Sequence, residues 1–284
     1  MSNAGRRLLV LFLILLGVGI TIYGSALQDL LAAVILRQGS SHGIFVPFLS
    51  GYVLWTRFDK IKELRPQTSL FPGIAMLLVG MIFLFHAKYS DFFLPFSVLS
   101  FLCVAGAMIL LIFGKDLFAE VMFPLFLLGT MIPIPQETYE QIAYWMRVIN
   151  TWGSVIVSES LGVPLYREGF SIHVPKITMF VSDGCSGIRY LLSYFTFSLV
   201  YAVLYKQSVS ARLFFILGSI PLSIVSGITR LSVIFLSAHY ISPVMAHPRP
   251  HVIISWIVFV VFLVGVIGID QYISRKKYEV EDNA

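Results

Sequence analysis

Apolar positions along this chain form long, nearly unbroken runs separated by short polar stretches, with no sustained alternation of period two. A helix needs about 20 apolar residues to cross the hydrocarbon core of a bilayer. Eight runs approach that length: 8–27, 43–56, 69–86, 92–113, 117–134, 186–204, 211–238 and 251–270. The second is short. The seventh is long enough to bend at Gly227 or to divide into two pieces. The pattern predicts an all-α polytopic membrane protein with about eight transmembrane helices, and its continuity argues against a barrel of short alternating strands. Composition narrows the picture further. The chain is 57% hydrophobic and only 12% charged, whereas soluble domains carry roughly 25% charged residues. A soluble globule and a disordered chain are both excluded, and two cysteines cannot make a disulfide scaffold.

Charge placement orients the spans. Arg6 and Arg7 precede the first run, which places the N-terminus in the cytoplasm. The clusters Arg57, Lys60, Lys62 and Arg65, then Lys115, Lys206 and Arg212, and finally Arg275, Lys276 and Lys277 then also fall inside, as does the C-terminus. The remaining basic residues are Arg37, Lys88, Arg147, Arg167, Lys176, Arg189, Arg230 and Arg249, in outer segments or within spans. The net charge of +5 therefore reports topology and contact with anionic lipid, not nucleic-acid binding. The first run is longer than a signal-peptide core and is read as a retained span. One domain is expected over 1–284, with an extracytoplasmic cap at about 135–184. In the cap, Gln136–Gly153 reads as an amphipathic interfacial helix and Tyr166–Pro175 as a short hairpin.

Polar groups inside a bilayer are costly, so each invites a functional reading. Cys185 lies in Asp183-Gly-Cys-Ser-Gly-Ile-Arg-Tyr190, flanked by Gly184 and Gly187. If a helix starts there, its N-terminus favours a nucleophilic thiolate; a buried inert cysteine fits the same motif equally well. Cys103, mid-run among apolar neighbours, reads as inert, and a bridge between the two cysteines is not expected. Arg230 in Gly227-Ile-Thr-Arg-Leu-Ser232 follows Ser219, Ser223 and Ser226. It reads either as a bundle-facing guanidinium for an oxyanion or carboxylate or as an arginine snorkelling to headgroups. His239, His247 and His251 form the third cluster, with His251 opening the last run as a general acid or base. Pro248 and Pro250 interrupt the helix that would align His247 with His251, so no metal site and no cofactor is expected. Ser186 is a secondary nucleophile candidate.

Taken together, Cys-Ser-Gly-Ile-Arg from 185, Gly-x-x-Arg-Leu ending near 231, and His251 opening the last span resemble the exosortases, bacterial relatives of archaeosortases and functional analogues of sortases. Ser41-His-Gly-Ile-Phe-Val-Pro-Phe48, Tyr52-Val-Leu-Trp55, Met131-Ile-Pro-Ile-Pro135 and Gly162-Val-Pro-Leu-Tyr-Arg-Glu-Gly169 are similar to further landmarks of the family, so the likeness covers about 40–270. It implies Cys185 as nucleophile, Arg230 as its arginine and His251 as its histidine, with His239 as the alternative. Pro250 stands where relatives often have an acidic residue beside the histidine. The larger form of the family has a further C-terminal soluble domain, which is not expected here. The implied substrates are exported proteins ending in a Pro-Glu-Pro motif, a hydrophobic span and a basic tail, cleaved through a Cys thioester at the periplasmic face of the bacterial inner membrane. The glutamate of that motif calls for a cation, for which Arg189, Arg167 and Arg249 are the candidates; His42 and Gly43 read as a packing or turn element. The rival readings are a membrane enzyme acting on lipid-linked sugar or acyl groups and a non-catalytic exopolysaccharide assembly or transport component.

Overall fold

The structure, a computed structural model, describes residues 3–36, 41–90, 92–175, 177–206 and 208–282. Arg37 and Lys176, counted above among the outer basic residues, lie outside the described residues. The chain forms two compact units, Met1–Ile134 and Pro135–Ala284.

The first unit is entirely helical: α1 (Asn3–Ile22), α2 (Gly24–Leu36), α3 (Val46–Thr56), α4 (Phe58–Glu63), α5 (Leu70–Tyr89), α6 (Phe93–Ile112) and α7 (Lys115–Gly129). The expected first span is broken. The two helices around Tyr23 are bent by 72°, at a Gly24-Ser25 pair of the kind that commonly marks sharp kinks. The Tyr23 hydroxyl reaches Ser100 Oγ at 2.6 Å, and Ser100 in turn donates to the Gly80 carbonyl at 2.6 Å. This chain of hydroxyls ties the bend to α6 and α5. Pro124 sits inside α7 and deprives the carbonyl four residues earlier of its helical partner. Arg57 Nη1 donates to that carbonyl, Glu120 O, at 3.1 Å and pairs with the Glu120 carboxylate at 3.3 Å. A freed backbone acceptor inside an apolar helix is thus satisfied from a neighbouring one. His42, within the 3-10 turn Ser41–Ile44, is buried, with Nε2 3.1 Å from the Thr130 carbonyl. His42 is therefore a packing element of this unit, as its sequence context suggested.

The second unit contains α8 (Gln136–Ser160), then β1 (Tyr166–Glu168), β2 (Ser171–Val174) and β3 (Ile177–Phe180), and then α9 (Ile188–Tyr205), α10 (Val209–Tyr240) and α11 (Pro248–Asp282). The expected hairpin is present and gains a third strand. The antiparallel order is β1-β2-β3, with Arg167 opposite Ile172 and Ile172 opposite Met179. Val163, Ile172, Val174 and Val181 bury against Leu231, Ile234 and Phe235 of α10, which fixes the sheet onto the helices. Helix α8 is longer than its amphipathic pattern predicts, and the polarity of its C-terminal half is inverted. Its buried face carries Asn150, Thr151, Ser154 and Ser158, while Trp145, Ile149, Trp152 and Ile156 are exposed. Along α10, Ser219, Ser223, Ser226 and Gly227 are buried, the small-residue face by which membrane helices approach one another. Helix α10 runs uninterrupted from Val209 to Tyr240, so the seventh span is not divided into two pieces.

This is an all-α membrane protein carrying a small three-stranded sheet. Among the described residues, five helices are long and apolar enough to cross a bilayer, or six if the bent pair around Tyr23 is one span. Eight had been expected. The difference lies in α3 and α7, with 11 and 15 residues. At 1.5 Å per residue they fall short of a hydrocarbon core of about 30 Å. Their apolar runs extend into non-helical flanks, the turn before Val46 and the Thr130–Ile134 segment, which a hydropathy reading counts as helix.

Candidate active site

Strand β3 delivers the chain directly into a tight turn. Val181 N donates to the Phe170 carbonyl, closing the sheet, and Asp183–Cys185 then form a 3-10 turn in which Cys185 N donates to the Ser182 carbonyl at 2.8 Å. Gly187 follows with φ +89°, a left-handed conformation, and caps the N-terminus of α9. Cys185 is therefore not on the first turn of α9. A helix running continuously from Cys185 would set Arg189 one turn on, at i+4; the left-handed Gly187 breaks that relation by redirecting the chain between them.

Two side chains converge on the Cys185 turn from the neighbouring helices. His251, in the first turn of α11, places Nε2 3.3 Å from the Cys185 sulfur. Arg230 of α10 is 4% exposed and donates from Nη2 to the Cys185 carbonyl in a short hydrogen bond. Its guanidinium carbon lies 5.0 Å from the centre of the Tyr190 ring, while its Nε is buried without a hydrogen-bond partner. Cys185 is partly exposed, with the Ser182 hydroxyl 3.7 Å from its sulfur. One thiol from the turn before α9, one guanidinium from α10 and one imidazole from α11, all in the same unit, thus meet at one residue. The arrangement suits nucleophilic attack with proton transfer and stabilisation of a developing negative charge.

The other candidates stand elsewhere. His239 packs edge-on against Tyr240 with ring centres 4.6 Å apart, and its Nδ1 is buried without a partner. His247 is exposed and lies outside the α11 helix that carries His251. Prolines 248 and 250 are accommodated in the first turn of that helix, where the missing N–H groups have no intrahelical partner to lose. Ser186 is 1% exposed, too enclosed to act as the secondary nucleophile. Arg167 donates from Nε to the Gly169 carbonyl at 2.8 Å within its own β-turn. Arg249 is exposed at the start of α11. Arg189 is exposed, and its Nη2 lies 3.5 Å from where a Cβ on Gly184 would stand. Of the three candidate cations, Arg189 is the one placed over the nucleophile turn. Both cysteines are free, and Cys103 lines an apolar cavity among α5, α6 and α7. Among the described residues, no group of three or more His, Cys, Asp or Glu side chains is placed to hold a metal ion.

Two residues not singled out in the sequence support the turn. Arg147 of α8 pairs with the Asp183 carboxylate at 2.6 Å and lies 3.7 Å over the Phe170 ring. Asn150, one turn further along and fully buried, donates from Nδ2 to the Ser186 carbonyl at 2.6 Å. Asn150 also explains two glycines. A Cβ on Gly187 would approach its Nδ2 to 2.7 Å, and a Cβ on Gly227 would approach it to 2.5 Å. The sequence signal for both residues was a polar position on an amphipathic helix, which ordinarily marks a water-facing side. Gly187→Ala is expected to cost about 1–2 kcal/mol for the left-handed backbone alone and more for displacing Asn150. A lowered melting temperature in detergent is the expected result; an unchanged melt would contradict this account of the turn.

A family model described as Transmembrane exosortase (Exosortase_EpsH) matches residues 35–268. No curated protein and no solved structure matches the chain.

Proposed function

This chain belongs to the transmembrane exosortase family, and from that membership we propose that it is a cysteine protease/transpeptidase acting at the periplasmic face of a bacterial inner membrane. Membership implies protease or transpeptidase chemistry. The observation that carries the finer reading is the 3.3 Å approach of His251 Nε2 to Cys185 Sγ, with Arg230 bonded to the same cysteine's carbonyl. The thiol proton passes to the imidazole, and the thiolate attacks the scissile carbonyl of a membrane-tethered substrate. Negative charge then develops on the carbonyl oxygen beside the guanidinium, whose unused N–H groups neutralise it. As the tetrahedral intermediate collapses to a thioester, His251 returns its proton to the leaving amine. Water or an acceptor amine, deprotonated by the same imidazole, releases the product.

The substrates are exported proteins ending in a Pro-Glu-Pro motif, a hydrophobic span and a basic tail. The exposed Arg189 beside Gly184 is the first choice of partner for the acidic residue of that motif. Both termini are cytoplasmic on the positive-inside reading. The exposure of Trp145 and Trp152 supports reading α8 as lying at the membrane interface, where indoles favour the headgroup level.

Co-expression with a model substrate carrying this three-part C-terminus tests the assignment. Release of a product lacking the span and tail, seen by mass, is expected with the wild-type chain. An unprocessed substrate in the presence of well-inserted enzyme would overturn it.

A further inference from the structure

The imidazole sits on α11 and the thiol on the turn that leads into α9, and α9 and α11 are joined through long side chains. Both helices begin near the same turn and run in the same direction. Among the described residues, five bridges join this stretch of the chain to α11. Tyr201 donates to the Asp270 carboxylate at 2.7 Å across a separation of 69, and along the other four the offset barely changes. Cys185 meets His251 at a separation of 66 residues; Tyr190 donates to the Ser255 carbonyl at 2.6 Å, separation 65. Tyr194 donates to the Phe259 carbonyl at 3.2 Å, separation 65, and Lys206 pairs with Asp270, separation 64. These bonds hold two parallel helices in step. A slip of one residue would move a side chain 1.5 Å along the axis and turn it by about 100°, enough to part the sulfur from the imidazole.

One rung touches the whole site. The Tyr190 hydroxyl is bound to the Ser255 carbonyl, and Ser255 Oγ itself donates to the His251 carbonyl at 2.7 Å. The Tyr190 ring lies beside the Arg230 guanidinium at 5.0 Å, within cation–π range. Tyr190 itself is largely buried, 9% exposed. Tyr194, one turn on, has its hydroxyl near Ser226 Oγ at 2.9 Å and its ring stacked on Phe259.

We propose that Tyr190 is the positioning residue of this site, its hydroxyl keeping the His251 helix in register with the Cys185 turn and its ring seating Arg230. The inference rests on the thiol–imidazole reading above, and the test separates the two. The full chain is purified in detergent with Cys103→Ala, so that Cys185 is the thiol that iodoacetamide modifies. Alkylation rate is measured against pH, and cleavage of the three-part model substrate gives kcat and KM separately. The groups around the sulfur that shape the profile are His251 from α11, Arg230 from α10, Tyr190 from α9 and the Arg147–Asp183 pair.

His251→Ala is expected to displace the alkylation profile. Tyr190→Phe, which keeps the ring, is expected to displace it in the same sense and to lower kcat about 10-fold with KM unchanged. Tyr190→Leu loses both contacts and is expected to lower kcat about 100-fold. Tyr194→Phe removes an equivalent rung without touching the site and is expected to retain the wild-type profile. A wild-type profile and kcat in Tyr190→Phe would overturn the proposal, even if Tyr190→Leu fails to fold. So would an equal displacement in Tyr194→Phe, which would reduce Tyr190 to one structural rung among several. A wild-type profile in His251→Ala would instead sink the thiol–imidazole reading, and this inference with it.

Discussion

Cys185→Ala is expected to stop cleavage of the three-part substrate, a rate loss on the order of 10,000-fold or more, while membrane insertion and melting stay close to wild type. The side chain is only partly buried against the Val163–Phe235 cluster, so deleting one sulfur leaves little cavity. Arg230 and His251 remain in place but have no nucleophile to serve, and nucleophile and base that act as one unit are not additive. Cys185→Ser is expected to retain at most a trace, because a hydroxyl is a far weaker nucleophile near neutral pH. Kinetics in reconstituted membranes checks this. Substantial turnover by Cys185→Ala would favour a lipid-modifying enzyme using the arginines for phosphate. No activity in any form, wild type included, would favour an assembly component.

Arg230→Ala is expected to lower cleavage on the order of 1,000-fold and, unlike the cysteine variant, to lower stability as well. The guanidinium is buried, bonds the Cys185 carbonyl and lies against Tyr190. Its removal orphans a buried acceptor and empties its seat. Arg230→Lys separates the two effects. A lysine restores the charge but offers a point ammonium in place of a planar fork, so recovery of stability with only partial recovery of cleavage is expected. Parallel melting and cleavage measurements decide. Arg230→Lys at wild-type activity would show that the fork geometry is not used.

The sequence made much of this molecule legible, and its failures have identifiable causes. Five of the apolar runs correspond to helices able to span, because continuous hydrophobicity is what a bilayer requires. The runs at 43–56 and 117–134 misled because hydropathy cannot see where a helix stops, at Phe45 or after Gly129. The bend at Tyr23 is fixed by a hydroxyl bond to Ser100, a contact between residues far apart in sequence. Strand β3 was missed because Ile177–Phe180 reads simply as an apolar lead into the Cys185 motif. At the site, Cys185, Arg230 and His251 were each marked by an unusual residue in an apolar setting, and the structure draws them together. The resemblance already favoured His251 over His239, and in the structure it is the His251 imidazole that approaches the Cys185 sulfur. Asn150 and Arg147 were hidden for a physical reason. In water, the polar stripe of a helix like α8 faces outward; here that stripe is buried and the tryptophans are exposed. Reading α8 as a membrane protein's helix, inside out, would have brought Asn150 to attention.

The central claim is that the Cys185 sulfur becomes acylated by the substrate. Acid-quenching the enzyme during turnover and weighing it intact tests this most directly. The expected species has the mass of the chain plus the substrate portion preceding the scissile bond, attached at Cys185, released by hydroxylamine and missing from Cys185→Ala. An adduct mapped to another residue, or steady cleavage with no adduct at Cys185 under any quench, would contradict the account.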